Sequence, residues 1–341
     1  MLFRTIIPQW LISVGGRELI RFYEVEVKST RRFESDRCTI RVPWTPELET
    51  LIKGDVVMVS LGNSEIGGRV VFYGVLESVG QDGVVGTITA RDKLENLKGI
   101  SFTGGWKEGE SLALALDTVL SAGLLNGMGY DPDGATLPQD FTAKDADAWD
   151  ALRWLLDIRG WDCWIIPGGE SVYYGPRWPY QVAVGETQPA LNQERTFYFN
   201  LRSAEVFDAK IERATTPLYR SCIIYIYDGK FSGAETVIGE AVWTETGSVV
   251  GVSGEEPVLI IRRAGTTKQA EANDLAVDAL DDANFGRIKG QLEAPLNPYI
   301  LHSQVINLDS EGQSEPVPVS AITYRLSATE GSMMEIEIEG N

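Results

Sequence analysis

The sequence predicts a mainly β fold with an α/β insertion: two pseudo-equivalent β-barrel domains plus a small mixed domain. Three observations lead there. Segments that alternate apolar and polar residues fill the first hundred positions and return after about residue 200;. Between them the apolar spacing becomes helical;. The strands near the C-terminus then repeat the order and spacing of those near the N-terminus;. The expected units are 1–100 (first barrel), 101–190 (mixed) and 191–341 (second barrel, carrying a helix at 267–284).

In the first unit, residues 21–28 (RFYEVEVK) and 38–42 (CTIRV) alternate with period two, which places one face in a core and the other in water;. Residues 55–61 (DVVMVSL) are almost continuously apolar, as in a strand covered on both faces;. Residues 70–79 (VVFYGVLESV) and 84–91 (VVGTITAR) flank Gln81-Asp82-Gly83, and Asp-Gly between β-branched runs is a hairpin signal;. The opening segment MLFRTIIPQWLISVGG is broken by Pro8 and soon followed by Arg17, so it reads as an entry strand rather than a signal peptide;.

The insertion begins with a helix over 110–125, where Leu112, Leu116, Val119 and Leu120 share a face, Ser111 can cap the start and Gly127 can help to stop it;. A Gly-, Asp- and Pro-rich loop follows. A second helix covers 146–159 and ends at Gly160, and strands at 162–166 and 171–175 form a hairpin;. Strands resume at 205–213, 221–227, 236–244 and 258–262. The helix 267–284 has a narrow stripe of Ala270, Leu275, Ala276 and Ala279;. Four strands close the chain at 288–293, 300–308, 318–326 and 333–339.

The repeat rests on spacing. Strands starting at Asp55, Arg69 and Val84 lie at offsets of 14 and 29; those starting at Ser303, Val317 and Met333 lie at 14 and 30. Upstream, CTIRVPWTP matches IKGQLEAPLNP, with Pro43 and Pro46 answered by Pro295 and Pro298. RFYEVEVK corresponds loosely to SCIIYIY at 221–227. The alternative is that short strands with turns recur at similar spacing in many β domains. If the repeat is a duplication, three copies of the chain present six near-equivalent units in a ring.

Composition bounds the function. Apolar residues at 43% and charged residues at 23% suit a folded chain with real cores;. A net charge of −19 repels phosphates and disfavours nucleic-acid binding;. The same acidity suits either a wall past which DNA slides or plain solubility. Three distant cysteines, Cys38, Cys163 and Cys222, give neither a disulfide framework nor a zinc site and fit a reducing compartment;. No apolar run is long enough to span a membrane.

No catalytic, cofactor-binding or metal residue is assigned, and no cofactor is expected. Phosphate-cradling glycine motifs are missing in strand-to-helix context;. His302, the only histidine, stands beside Ser303 without a metal-ligand companion and reads as structural rather than half of a Ser/His pair;. Asp131-Pro132-Asp133-Gly134 resembles part of a calcium loop but lacks the later ligands, so turn chemistry explains it better;. Nothing selects a carboxylate pair for glycoside hydrolysis. Trp149, Trp154, Trp161, Trp164 and Trp178 gather in the insertion. They suit a small domain's core, a buried interface, or a sugar-binding platform; the last sustains an alternative reading as a carbohydrate-binding or carbohydrate-active β protein.

The ordered set RFYEVEVK, CTIRVPWTP, ELETLIKGDVVMVSLG, VVFYGVLESV, GTITARDKLENL and AWDALRWLLDIRGWDCWIIPGGESVYYGPRW resembles the baseplate hub proteins of tailed phages and related contractile injection machines, including late-control-protein-like hubs and the N-terminal region of type VI secretion spike proteins. The resemblance runs over about residues 20–339 and lies in order and spacing more than in any one motif. It implies a non-enzymatic homotrimer whose tube domains form a pseudo-sixfold ring around a channel that DNA traverses without specific binding. It implies a tail tube or distal tail protein at one end and a separate spike or tip protein at the other. The location implied is the virion tail tip, after synthesis in the host cytoplasm, without membrane insertion. The strand at 320–326 lacks the histidine often found there in the family.

Overall fold

The computed structural model describes residues 8–30, 34–63, 67–129, 131, 134–166, 171–175, 197–201, 206–213, 217–227, 236–244, 247–252, 256–264, 269–284, 288–302, 304–310, 313–329 and 331–340. The first stretch forms β1 (Pro8–Val14), β2 (Arg17–Glu18), β3 (Glu24–Thr30), β4 (Arg37–Pro43), β5 (Val56–Asn63), β6 (Gly67–Asp82) and β7 (Val85–Asp92). The insertion carries β8 (Ser101–Trp106), α1 (Leu112–Ala122), β9 (Asn126–Gly129), β10 (Phe141–Asp147), α2 (Ala148–Asp157), β11 (Asp162–Ile165) and β12 (Ser171–Gly175). Then come β13 (Phe197–Asn200), β14 (Asp208–Arg213), β15 (Ser221–Tyr227), β16 (Thr236–Thr244), β17 (Gly247–Val250), β18 (Val258–Ala264) and α3 (Gln269–Asn284). The chain ends with β19 (Ile288–Pro295), β20 (Val305–Ser310), β21 (Gln313–Ser327) and β22 (Gly331–Gly340).

One strand order occurs twice. The first half pairs as β3-β4-β7-β6-β5 and the second as β14-β19-β22-β21-β20, antiparallel throughout. Each half turns on one long strand. β6 pairs with β5 over its first part and with β7 over its second, with register shifts at Val59/Ser60 and Leu76/Ser78. β21 pairs with β20 and then β22, with a shift at Val319/Ala321. Such a bulge adds local twist and lets one strand serve two sheet segments. The halves differ beyond β5 and β20: β1 joins β5 antiparallel, whereas β13 joins β20 parallel.

The two strand sets are fused rather than closed into separate barrels. β3 pairs with β21 antiparallel, so both sets lie in one 13-stranded sheet, and no pairing joins its two ends among the described residues. A single core runs along it, from Ile12, Val25 and Ile40 to Ile322, Ile336 and Ile338. Pro43 and Pro295 occupy corresponding positions, each the last paired residue of its strand. The correspondence expected between residues 21–28 and 221–227 fails. β14 holds the place of β3, and 221–227 instead forms β15 in a separate four-stranded sheet, β17-β16-β15-β18, packed on α3 through Cys222, Ile224, Ala241, Ala272, Ala276 and Leu280.

The insertion has its own core, built from both helices, Trp161, Cys163, Val172 and Tyr174. Ser111 caps α1 by accepting from the Leu114 N–H, and Asp147 caps α2 by accepting from the Trp149 N–H at 2.9 Å;. Gly123 rather than Gly127 ends α1, since an N–H bonded to Leu120 and Ser121 carbonyls completes its last turn there. The β11–β12 hairpin packs Trp164 and Tyr173 on Leu301, tying the insertion to the second half. All three cysteines are buried and free. No helix among the described residues is long and apolar enough to cross a membrane.

Candidate assembly surface

The seam between β3 and β21 shows how the two halves are joined. Period-two alternation turns Val25 and Val27 of β3 into the core, and Ile322, Tyr324 and Leu326 of β21 join them there;. The Tyr324 hydroxyl donates to the Ile300 carbonyl and so finds a partner despite full burial. Charges occupy the opposite face. Glu26 lies directly across from Arg325, with Nε to Oε2 at 3.1 Å, and Arg325 also reaches Glu335 at 3.4 Å. Lys28 reaches Glu337 of β22 at 3.3 Å. Exposed pairs of this kind contribute little stability each, but like charges directly opposite are unfavourable, so they select the register.

Two edges lack what the seam has. β14 has β19 as its only strand partner among the described residues, whereas its counterpart β3 has β4 and β21. Over Ser78–Asp82, β6 pairs only with β7, whereas the matching part of β21 lies between β22 and β3. Burial follows the same line. Val25, Val27 and Ile322 are 0% exposed, but Ala209, Ile211 and Val79 at the corresponding places are only half-buried. Val79 also lines a groove of about 460 Å³ with Trp44, Leu48, Leu51, Lys53 and Leu76, beside the open β6 edge.

A buried carboxyl pair holds the connection between β3 and β4. Asp36 accepts from the Ser29 hydroxyl (2.8 Å) and the Thr30 N–H (3.2 Å). Asp92 accepts from the Asp36 N–H (2.7 Å) and the Leu94 N–H (2.9 Å), capping the short turn Lys93–Leu97 that leads into the insertion. Burial pushes the Asp92 carboxyl up to about 7. Burial first, then the nearby Asp92 charge, pushes Asp36 well above the usual carboxylate range;.

The residues weighed for chemistry are scattered. His302 is buried with its ring edge-to-face against Trp164 at 5.2 Å, in the segment that meets the insertion. Its neighbour Ser303 lies outside the described residues. Both carboxylate oxygens of Asp131 accept from the Ala135 N–H, at 2.9 and 2.8 Å, which is turn chemistry; Pro132 and Asp133 lie outside the described residues;. Trp161 and Trp164 are core residues, Trp149 is half-buried under the Lys98 ammonium, and Trp178 lies outside the described residues. Trp154 caps a column Phe102–Trp106–Phe141–Trp154 whose neighbouring rings stack with centroids 4.3–6.0 Å apart. That arrangement spends most ring faces on one another, whereas a sugar platform leaves them open. Among the described residues no three His, Cys, Asp or Glu side chains are grouped as a metal ion would need.

No family model matches the chain, and no curated protein matches it by sequence. Solved structures do match. A tail protein from Neisseria meningitidis MC58 aligns over 98% of this chain and 97% of its own, with a TM-score of 0.70 and 12% identity. The 43 kDa tail protein of prophage MuSo2 from Shewanella oneidensis aligns over 97% and 98%, with a TM-score of 0.69 and 14% identity. The chain has the fold of phage tail proteins. An E. coli component of the type VI secretion system, described as similar to the T4 bacteriophage tail proteins gp27 and gp5, aligns over 97% of this chain and 76% of its own, with a TM-score of 0.57 and 9% identity. Among the described residues, the two halves present open strand edges at β14 and along Ser78–Asp82 of β6. Sequence reading missed the seam, because nothing in RFYEVEVK names a partner strand about 300 residues away. It also missed Asp36 and Asp92, whose burial is a tertiary property.

Proposed function

We propose that the chain is a non-enzymatic structural hub of a phage tail or a related injection machine. Three copies form a ring, and each contributes two similar units, so the ring offers six near-equivalent positions on a threefold axis. It thereby adapts a sixfold tail tube, or a distal tail protein, to a threefold spike or tip protein. The tube domains become closed only as neighbouring copies complete the sheet. The acidic surface lets DNA pass along the channel without retention, and the site of action is the virion's tail tip. The observation that carries this reading is the duplicated strand order, β3-β4-β7-β6-β5 and β14-β19-β22-β21-β20, within one polypeptide. Light scattering on the purified chain at high concentration should give a trimer mass, and negative-stain images should show rings. A chain that stays monomeric at the highest attainable concentration sinks the proposal.

A further inference from the structure

A ring of three copies leaves open which edges meet, in what register, and what keeps the wrong edges apart. We propose that β14 of one copy adds to the Ser78–Asp82 edge of β6 in the next copy, in the register that β3 and β21 use inside the chain, and that Lys210 opposite Asp82 keys the contact. This rests on the ring reading and specifies its interface.

The register follows from the duplication. Val25 pairs with Ile40 in β4, and Ala209 pairs with Leu292 in β19. Ile40 and Leu292 in turn pair with Ile88 of β7 and Ile336 of β22. Val25 and Ala209 are therefore equivalent, as are Glu26 and Lys210. In the long strands, Ser78 follows the bulge and pairs with Thr89, as Ala321 follows the bulge and pairs with Glu337. Counting on from there makes Asp82 the equivalent of Arg325. Inside the chain Glu26 lies across from Arg325. Between copies, the same geometry sets Lys210 across from Asp82, Ile211 from Gln81, Glu212 from Gly80 and Arg213 from Val79.

The charge order is reversed between the two contacts. The internal seam has its acid on the added strand and its base on the long strand, whereas the contact between copies has the base on β14 and the acid on β6. Crossed pairings meet like charges: β3 on the β6 edge sets Glu26 against Asp82, and β14 on the β21 edge sets Lys210 against Arg325. An unpaired strand edge accepts any strand of the right length unless something repels the wrong one. Among the described residues Lys210 reaches only Asp208 of its own strand, at 3.7 Å, a distance that leaves its ammonium able to meet a carboxylate of a second copy.

The test uses the full chain with Lys210→Cys and Asp82→Cys combined. Directly opposed strand residues have Cβ atoms about 4.5–5.5 Å apart, close enough for a disulfide after small adjustment, and the native cysteines are buried. Mild oxidation should give a ladder on a non-reducing gel that ends at a covalent trimer, with no ladder from either single variant. Independently, Asp82→Lys should raise the protein concentration at half-assembly by about tenfold, given three like-charge contacts per ring. Adding Lys210→Asp to it should restore assembly. A trimer mass with neither cross-link nor charge effect overturns this register and leaves the ring standing. A monomer mass with no cross-link overturns both.

Discussion

Asp36 and Asp92 meet in a place where water cannot screen them, and each is held by hydrogen bonds that belong to the path of the backbone. Burial raises both carboxyls, so the folded chain holds these protons more tightly than the unfolded chain does;. Their contribution to stability is therefore full below about pH 4, where even unfolded carboxyls are protonated. It declines as pH rises through about 7, the value to which Asp92 is pushed;. Asp36→Asn removes one of the two charges while keeping an oxygen for the Thr30 N–H and an amide that can donate to the Ser29 hydroxyl. The loss of stability between pH 5 and pH 8, read from urea midpoints, should be smaller in this variant than in the unmodified chain. A pH profile parallel to that of the unmodified chain would remove the pair from the explanation.

At the scale of elements, the long bent strand is what lets each half build a two-segment sheet from short pieces. The bend in β6 has a steric requirement. Gly74 pairs with Val57 on one side and Asp92 on the other, at the point where the strand passes from β5 to β7. A Cβ there would lie 2.1 Å from the Arg91 carbonyl and 2.7 Å from the Phe72 ring. Gly74→Ala should destabilise the chain by about 1–3 kcal/mol, the range for forcing extra atoms into a packed site. Gly105→Ala in β8, whose Cβ would meet nothing closer than 3.6 Å, should stay within about 0.5 kcal/mol; equal effects of the two changes would refute the steric account. The hairpin after this bend was legible because Asp82-Gly83 announces it, and Gly83 takes φ +58° as such a turn requires;. The three helices were legible from their spacing, and Ser111 was legible as the cap of α1; Asp147, which the spacing placed inside the second helix, instead caps it from outside. β8, β9, β10 and β13 were not, since short strands such as Asn126–Gly129 carry no alternation to read. The mistaken match of 221–227 to 21–28 has the same root. Alternation identifies a strand and its buried face, but its partner is fixed by packing among distant segments.

For the whole molecule, the question is how a formal charge of −19 is arranged. Many cations stand within reach of acids: Lys28 by Glu337, Arg41 by Glu24, Arg91 by Glu77, Lys107 by Asp140, Arg213 by Glu315 and Arg325 by Glu26 and Glu335. Retention of DNA draws its free energy from counterions released when cations neutralise phosphates, and a cation already facing a carboxylate releases few. On the face of the seam turned from the core, Glu24, Glu26, Glu335 and Glu337 stand against Arg41, Arg325 and Lys28, so these cations already face carboxylates. A protein with ordinary non-specific affinity binds duplex DNA with Kd of about 10⁻⁴–10⁻⁶ M at physiological salt and more tightly as salt falls. This chain should show no filter retention of duplex DNA at about 50 mM salt and about 100 µM protein, where that background would be saturating. The outcome matters in both directions. Retention that weakens steeply with added salt would reveal a cationic tract that the ion pairs conceal, and would count against the proposed DNA channel.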